Sequence, residues 1–339
     1  MLIGPCIFSK LSMRRKLSMP VVFIVGLILL LTSCAVRGAV TQADWNDVLQ
    51  HYRSLGEHRS GTDADRATAL WLRSELQTRG LKTTVQEWPV RVFELAASYI
   101  ESENDKLPAF PFWYPRSTGS KGIVGTLVNV SDKLDSEVSG SIALYRLPPD
   151  QYEFHFDIAP LTSEMAAHGA QAAIVVLNHP VKAVSAQNAN KPHHQQTLPI
   201  PALIAAESDA ARLLELASNQ AAVRVMLDGT SRDGTARNVL GWLDHGEGSW
   251  IVISTPISGW FEVTNERGPG IALWLQLAQW AASEGIQANF LFTGLSGHEL
   301  GKMGMDALVD SAQLPTPSDT CLWLHLGSGI AVQNPLLAA

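Results

Sequence analysis

The sequence predicts an α/β protein: a mixed, mostly parallel sheet flanked by helices and carrying a β-rich insertion. Three observations carry this expectation. Residues 249–254 (Ser-Trp-Ile-Val-Ile-Ser) form an apolar, β-branched run bounded by turn residues, the pattern of a buried strand. After a loop over 255–270, Ile271, Trp274, Leu275 and Ala278 recur at helical spacing, and a second short strand over 288–292 runs into Ser296-Gly-His-Glu-Leu-Gly301. Two successive βα units favour parallel pairing, and parallel sheets place their sites in the loops beyond the carboxyl ends of the strands. Between about 97 and 228 the texture changes to short β-like segments separated by Pro and Gly.

Length and composition agree. A chain of 339 residues holds two domains or one large domain with an insertion. At 46% hydrophobic and 17% charged residues it is globular, with enough apolar material for a sizeable core. The formal net charge is -7, and the only charges before Cys34 are Lys10, Arg14, Arg15 and Lys16. Without that segment 21 basic residues face 32 acidic ones, a balance that argues against a nucleic-acid partner, which needs a basic footprint.

The amino terminus has its own pattern. Met13-Arg-Arg-Lys16 is a basic stretch, and 21–31 is an apolar run of 11 residues, too short to span a bilayer comfortably and suited to a signal-peptide core. It ends in Leu31-Thr-Ser-Cys34, which resembles the bacterial lipobox. That resemblance implies a signal peptide over 1–33, lipidation at Cys34 and export to the envelope. Ala35 would suit an outer-membrane anchor facing the periplasm. Ordinary signal cleavage and an uncleaved anchor are the alternatives. Cys6 falls in the removed segment and Cys321 is then left alone, so neither an intramolecular disulfide nor a cysteine-based zinc cluster is expected.

Along the mature chain, a helix within 35–56 opens with Thr41 and Asp44 in a weak capping-box pattern. His58-Arg-Ser-Gly-Thr62 reads as a turn. Residues 63–79 form a helix with Ala69, Leu72 and Leu76 on one face and Gly80 just past its end. Residues 81–92 alternate like an edge strand. Within the insertion, strands are expected at 123–130, 141–145, 172–177 and 199–204, and helices at 162–168 and 208–217. A polar loop over 188–196 holds His193 and His194, and a strand at 238–243 resumes the main domain.

Three matches coincide in order. Arg59-Ser-Gly-Thr62 with the helix ending at Gly80, Gly140-Ser-Ile-Ala-Leu-Tyr-Arg146 with the 166–177 segment, and Asn238-Val-Leu-Gly241 before the Trp250 strand together resemble secreted zinc aminopeptidases of metallopeptidase family twenty-eight. The middle match is similar to the protease-associated domain inserted in that family. The resemblance implies a zinc-exopeptidase-like fold, with 34–96 as its first part, 97–230 as the insertion and 231–339 as the peptidase-like core. It also implies peptide substrates and two zinc ions that lower the pKa of a bridging water and polarise the scissile carbonyl.

At most ligand positions the sequence departs from that family. Pro256-Ile257-Ser258 stands where a His-x-Asp triplet is expected, and proline offers no ligand. Glu266 takes the place of the bridging Asp, His298-Glu299 that of a Glu-Glu pair, and His325 that of a later Asp. The last His ligand has no counterpart before Ala339, so the frame reads as truncated. On the functional account Glu266, Glu299 and His325 converge to hold one zinc ion, with His298 and Glu299 catalytic and His298 a base near neutral pH. Arg267 then grips a substrate carboxylate and Trp260 lines a substrate pocket. On the opposing account the site has decayed: Glu266–Arg267 is a surface ion pair, His298 opens a helix and His325 is a satisfied core residue. The expected function is peptide hydrolysis at an altered metal site, with zero or one zinc ion, or peptide or envelope binding by an inactive relative.

Overall fold

A computed structural model describes residues 42–134, 138–151, 156–179, 182–189, 196–283, 286 and 288–327. The expected signal segment, Cys34, Thr41, the His193–His194 pair and residues 328–339 lie outside them.

Helix α1 (Gln42–Ser54) and helix α2 (Asp63–Thr78) precede the sheet. Thr62 caps α2 by accepting from the Asp65 N–H, while Asp63 and Asp65 lie in the first turn, where the helix dipole favours negative charge. The expected apolar face is fully buried at Ala69, Leu72 and Leu76. Gly80 follows the helix with φ +86°, a conformation that costs glycine no Cβ clash.

Two long strands hold the architecture together. β1 (Lys82–Glu101) and, late in the chain, β7 (Ala222–Leu243) pair antiparallel from Lys82↔Trp242 to Glu101↔Arg224, with one register shift between Leu95 and Ala97. In the first half of β1, Gln86, Trp88, Val90 and Val92 are buried in strict alternation, the period-two pattern of a strand with one covered face. At the shift a Cβ on Gly229 would lie 2.4 Å from the Glu94 carbonyl oxygen, so only glycine fits that crossing.

Beyond the shift come β2 (Lys106–Pro111), β3 (Ile123–Asn129), β4 (Ile142–Arg146), β5 (Ala172–Val176) and β6 (Ala202–Ala205). Pairing runs β1–β2–β6–β5–β4–β3–β7, so the end of the ribbon closes a circuit of strands, parallel through β3–β4–β5–β6. Helices α3 (Ile158–Ala167) and α4 (Ala210–Ser218) accompany them. β8 (Trp250–Pro256), helix α5 (Thr264–Ser283), β9 (Asn289–Leu295), helix α6 (Met303–Val309) and β10 (Thr320–His325) complete the chain, with β7–β9–β8–β10 as the other wing of the sheet. There β9–β8 and β8–β10 are parallel, the arrangement expected from the two βα units.

The fold is therefore α/β on a ten-stranded mixed sheet, and a separate inserted domain is not evident. One apolar cluster joins Val90 and Trp260 to Leu127, Ile142 and Leu203, so the 97–230 region shares its core with the rest. A second cluster, built around Phe112, Ile158, Met165 and Val175, lies within that region. Among the described residues no helix is long and apolar enough to cross a membrane.

The segment before Ile271 differs from expectation. Residues 264–270 are the first turns of α5, with Pro269 inside the helix. The Gly-Pro-Gly sequence serves packing: a Cβ on Gly268 would sit 2.6 Å from Leu49 of α1, and one on Gly270 would sit 3.0 Å from the Gly327 carbonyl oxygen. Periodicity misses this turn because its buried face is made of glycine, proline and Arg267 rather than large apolar residues.

Candidate functional site

The carboxyl ends of β8 and β9 deliver two short segments to one place. β8 ends at Pro256 and leads to Ser258; β9 ends at Leu295 and leads through Ser296 and Gly297 to His298 and Glu299. The turn before α2 brings Ser60 against both. All three serines, Glu299 and Asp65 are at most 2% exposed.

These groups satisfy one another. Glu299 accepts from the Ser60 N–H at Oε1 (2.8 Å) and from the Ser258 hydroxyl at Oε2 (2.7 Å). The Ser296 hydroxyl donates to Asp65 Oδ1 at 2.6 Å, and the Gly61 N–H reaches Asp65 Oδ2 at 3.2 Å. Ser60 Oγ lies between, 2.8 Å from Ser296 Oγ and 3.2 Å from Ser258 Oγ, and the Gly297 N–H donates to both Ser60 Oγ (2.7 Å) and Ser258 Oγ (2.8 Å). Asn238 anchors the turn by accepting from the Ser296 N–H and donating to Gln86 and to the Gly304 carbonyl. Burial pushes the Asp65 carboxyl up to about 7, only partly offset by its bonds from Ser296 and Gly61.

Outside this knot lies a second group. Arg267, 3% exposed, donates from Nε to the Ser258 carbonyl (2.8 Å) and from Nη2 to His298 Nδ1 (2.9 Å). Its Nη1 makes an ion pair with the half-exposed Glu266 at 2.8 Å and no hydrogen bond. A guanidinium cannot accept a proton, so His298 is the neutral tautomer with its hydrogen on Nε2. Burial, then Arg267, Lys302 and His325, push its pKa down to about 3. His325 lies at the exposed end of β10, its Nδ1 2.8 Å from Ser254 Oγ, and its pKa is lowered by burial, Lys302 and Arg267.

The sequence-derived residues are thus divided. Arg267 bonds His298 and makes an ion pair with Glu266, while His325 bonds Ser254 of β8. Glu299 turns inward and has both oxygens occupied. Trp260 is buried, stacked edge-on against Phe110 and Trp113, and its indole N–H donates to Asn188. Cys34 lies outside the described residues. The donor set does not fit the dinuclear zinc centre implied by the family resemblance: among the described residues no three His, Cys, Asp or Glu side chains are grouped to hold a metal ion, and the Arg267 guanidinium is bonded to His298.

Ser60, Asp65, Ser258 and Ser296 escape a sequence reading directed at ligands. Small polar residues directly after two apolar strands were the available signal; what joins them to Ser60 and Asp65 is tertiary.

No protein-family model matches the chain, and no curated protein matches it. Solved structures do. The zinc aminopeptidase BSAP from Bacillus subtilis superposes with a TM-score of 0.65 at 18% identity, over 80% of this chain and 64% of that one. An aminopeptidase from Aneurinibacillus sp. strain AM-1 gives 0.62 at 15% identity, over 84% and 69%. A peptidase M28 precursor from Shewanella amazonensis gives 0.64 at 14%, over 79% and 67%. The chain therefore shares the fold of these enzymes and spans less than two thirds of the length of the Bacillus protein.

Proposed function

We propose that this protein is an exported, lipid-anchored peptide-binding relative of the zinc aminopeptidases that does not hydrolyse its ligand. The observation that carries the reading is the state of Glu299: fully buried, with one oxygen held by the Ser60 N–H and the other by the Ser258 hydroxyl. A carboxylate sealed from solvent and held by a protein donor on each oxygen must be uncovered before it can reach a metal ion or a water, and each bond to a charged acceptor is worth roughly 1.5–3 kcal/mol. The neighbouring imidazole, held neutral by burial and then by Arg267, is a poor substitute because its pKa of about 3 lies below the working range of a general base. Peptides are the ligand class by analogy with the aminopeptidases of the same fold, an argument from fold alone. In this reading the 97–230 region acts as a protease-associated-like surface, and Cys34 carries the lipid.

Metal analysis of purified protein, joined to a panel of aminoacyl-nitroanilides, tests the proposal. Neither bound zinc nor turnover is expected from protein shown to be folded. Zinc-dependent turnover that disappears in Glu299→Gln would overturn it. Recovery of Cys34→Ala in the membrane fraction at the wild-type level would remove the anchor.

A further inference from the structure

We propose that a cavity at the other end of β8, floored by Trp242 and Trp250, is a binding site for a short neutral saccharide. Trp250 opens β8 and Pro256 closes it, so about 20 Å of strand separate this cavity from the buried serines and Glu299. The inference does not depend on the peptide-binding reading.

The cavity measures about 640 Å³, within the range of small-molecule sites. Its floor is aromatic. Trp242 pairs with Leu291, Leu291 pairs with Val252, and Trp250 is two residues before Val252, so both indoles project from one face of the sheet. Leu240, Val252 and Leu291 on that face are fully buried, whereas the two indoles at the border of their cluster are only partly covered. Among the described residues neither indole N–H has a hydrogen-bond partner. Trp274 and Trp323 differ: their N–H groups donate to the Ile253 carbonyl and the Ser254 hydroxyl.

The walls are fixed in advance. Asn289, 2% exposed, accepts from the His245 N–H at 2.7 Å and donates to the Gly246 and Gly248 carbonyls at 3.0 and 3.3 Å, which sets the loop that follows Asp244. The wall formed by Gln313, Leu314 and Pro315 belongs to a loop that the Trp250 N–H ties down at the Asp319 carbonyl (2.6 Å).

The polar rim selects the ligand. Lys82 stands directly opposite Trp242 in the β1–β7 pair, and its charge offsets that of Asp244, so the rim favours a ligand without net charge. It offers donors in the Lys82 ammonium and the indole N–H groups, and acceptors in the Asp244 carboxylate and the Gln313 amide, whose Oε1 has no hydrogen-bond partner. A sugar ring matches both sets. Its C–H faces lie flat on indoles, and each hydroxyl both donates and accepts. A proline-rich peptide would also stack on the indoles, but its prolines have no N–H to give Asp244 or Gln313.

Calorimetric titration of the full chain tests this with three probes: chitotriose, cellotriose and a decaproline peptide. At least one trisaccharide should bind saturably, and more tightly than decaproline. Trp250→Phe keeps an apolar ring in the cluster, and Asp244→Asn keeps an amide oxygen for the Gly246 N–H; each should weaken that saccharide about ten-fold. Asp244 is exposed, so its variant decides the matter even where Trp250→Phe fails to fold. Unchanged saccharide affinity in Asp244→Asn would overturn the site, as would decaproline binding tighter than both saccharides or no saturation by either saccharide up to about 10 mM.

Discussion

Ser258 donates its hydroxyl proton to Glu299 Oε2 at 2.7 Å, and through that bond the segment after β8 is tied to the turn after β9. The serine sits where the resemblance expects a metal-binding aspartate. Its short side chain satisfies a buried carboxylate from within the protein. The two segments meet in a structural junction.

Removing that hydroxyl should be costly. Ser258→Ala leaves Glu299 with a single donor in a fully buried position, and the Gly297 N–H with Ser60 Oγ alone. We expect a loss of roughly 1.5–3 kcal/mol in urea-denaturation stability near neutral pH. A change within about 0.5 kcal/mol, the range of ordinary surface substitutions, would mean the bond contributes little.

The buried titratable groups make opposite demands on pH. Asp65 binds its proton more tightly in the folded state, with a pKa raised from 3.8 to about 7 by burial. Folding therefore takes up a proton in that window, and this group's contribution to stability falls as pH rises through it. His58, stacked on Tyr52 at 3.6 Å and lowered to about 4 by burial, contributes the reverse: stability is lost as pH falls from its ordinary value of 6.5. The two partly cancel in the wild-type protein. Asp65→Asn should uncover the histidine, gaining roughly 2–4 kcal/mol relative to wild type between about pH 4.5 and 7.5. Parallel denaturation profiles for the two proteins would show that Asp65 does not titrate in that range.

Gly304 lies in the first turn of α6, against the Ser296 turn. A Cβ there would lie 1.9 Å from the Ser296 carbonyl oxygen and 2.6 Å from Asn238 Oδ1, whereas one on Gly327 would meet nothing within 4 Å. Because the nearest obstacle is backbone, the clash cannot be relieved by turning a side chain. Gly304→Ala should cost about 3 kcal/mol or more in thermal or chemical denaturation, with Gly327→Ala near neutral. Equal stability of both variants would place the Ser296 turn elsewhere.

Much of this molecule is legible in the chain itself. The 249–254 and 288–292 strands, the 63–79 helix with Gly80 behind it, and the alternating edge strand all declare themselves by local period and turn chemistry, which act over a few residues. The departure from the ligand pattern that the resemblance implies is equally local, because Pro256 and Ser258 carry it in their side-chain chemistry. Tertiary structure alone decided how the polar residues are paired. Glu299 became a sealed acceptor because Ser60, 239 positions earlier, presents an N–H to it. Arg267 reaches the Ser258 carbonyl and His298 because glycine and proline let the first turns of α5 pack closely against α1. Hydrogen bonds and charge interactions depend on distances of a few ångströms between segments far apart in sequence, and no periodicity along the chain encodes them.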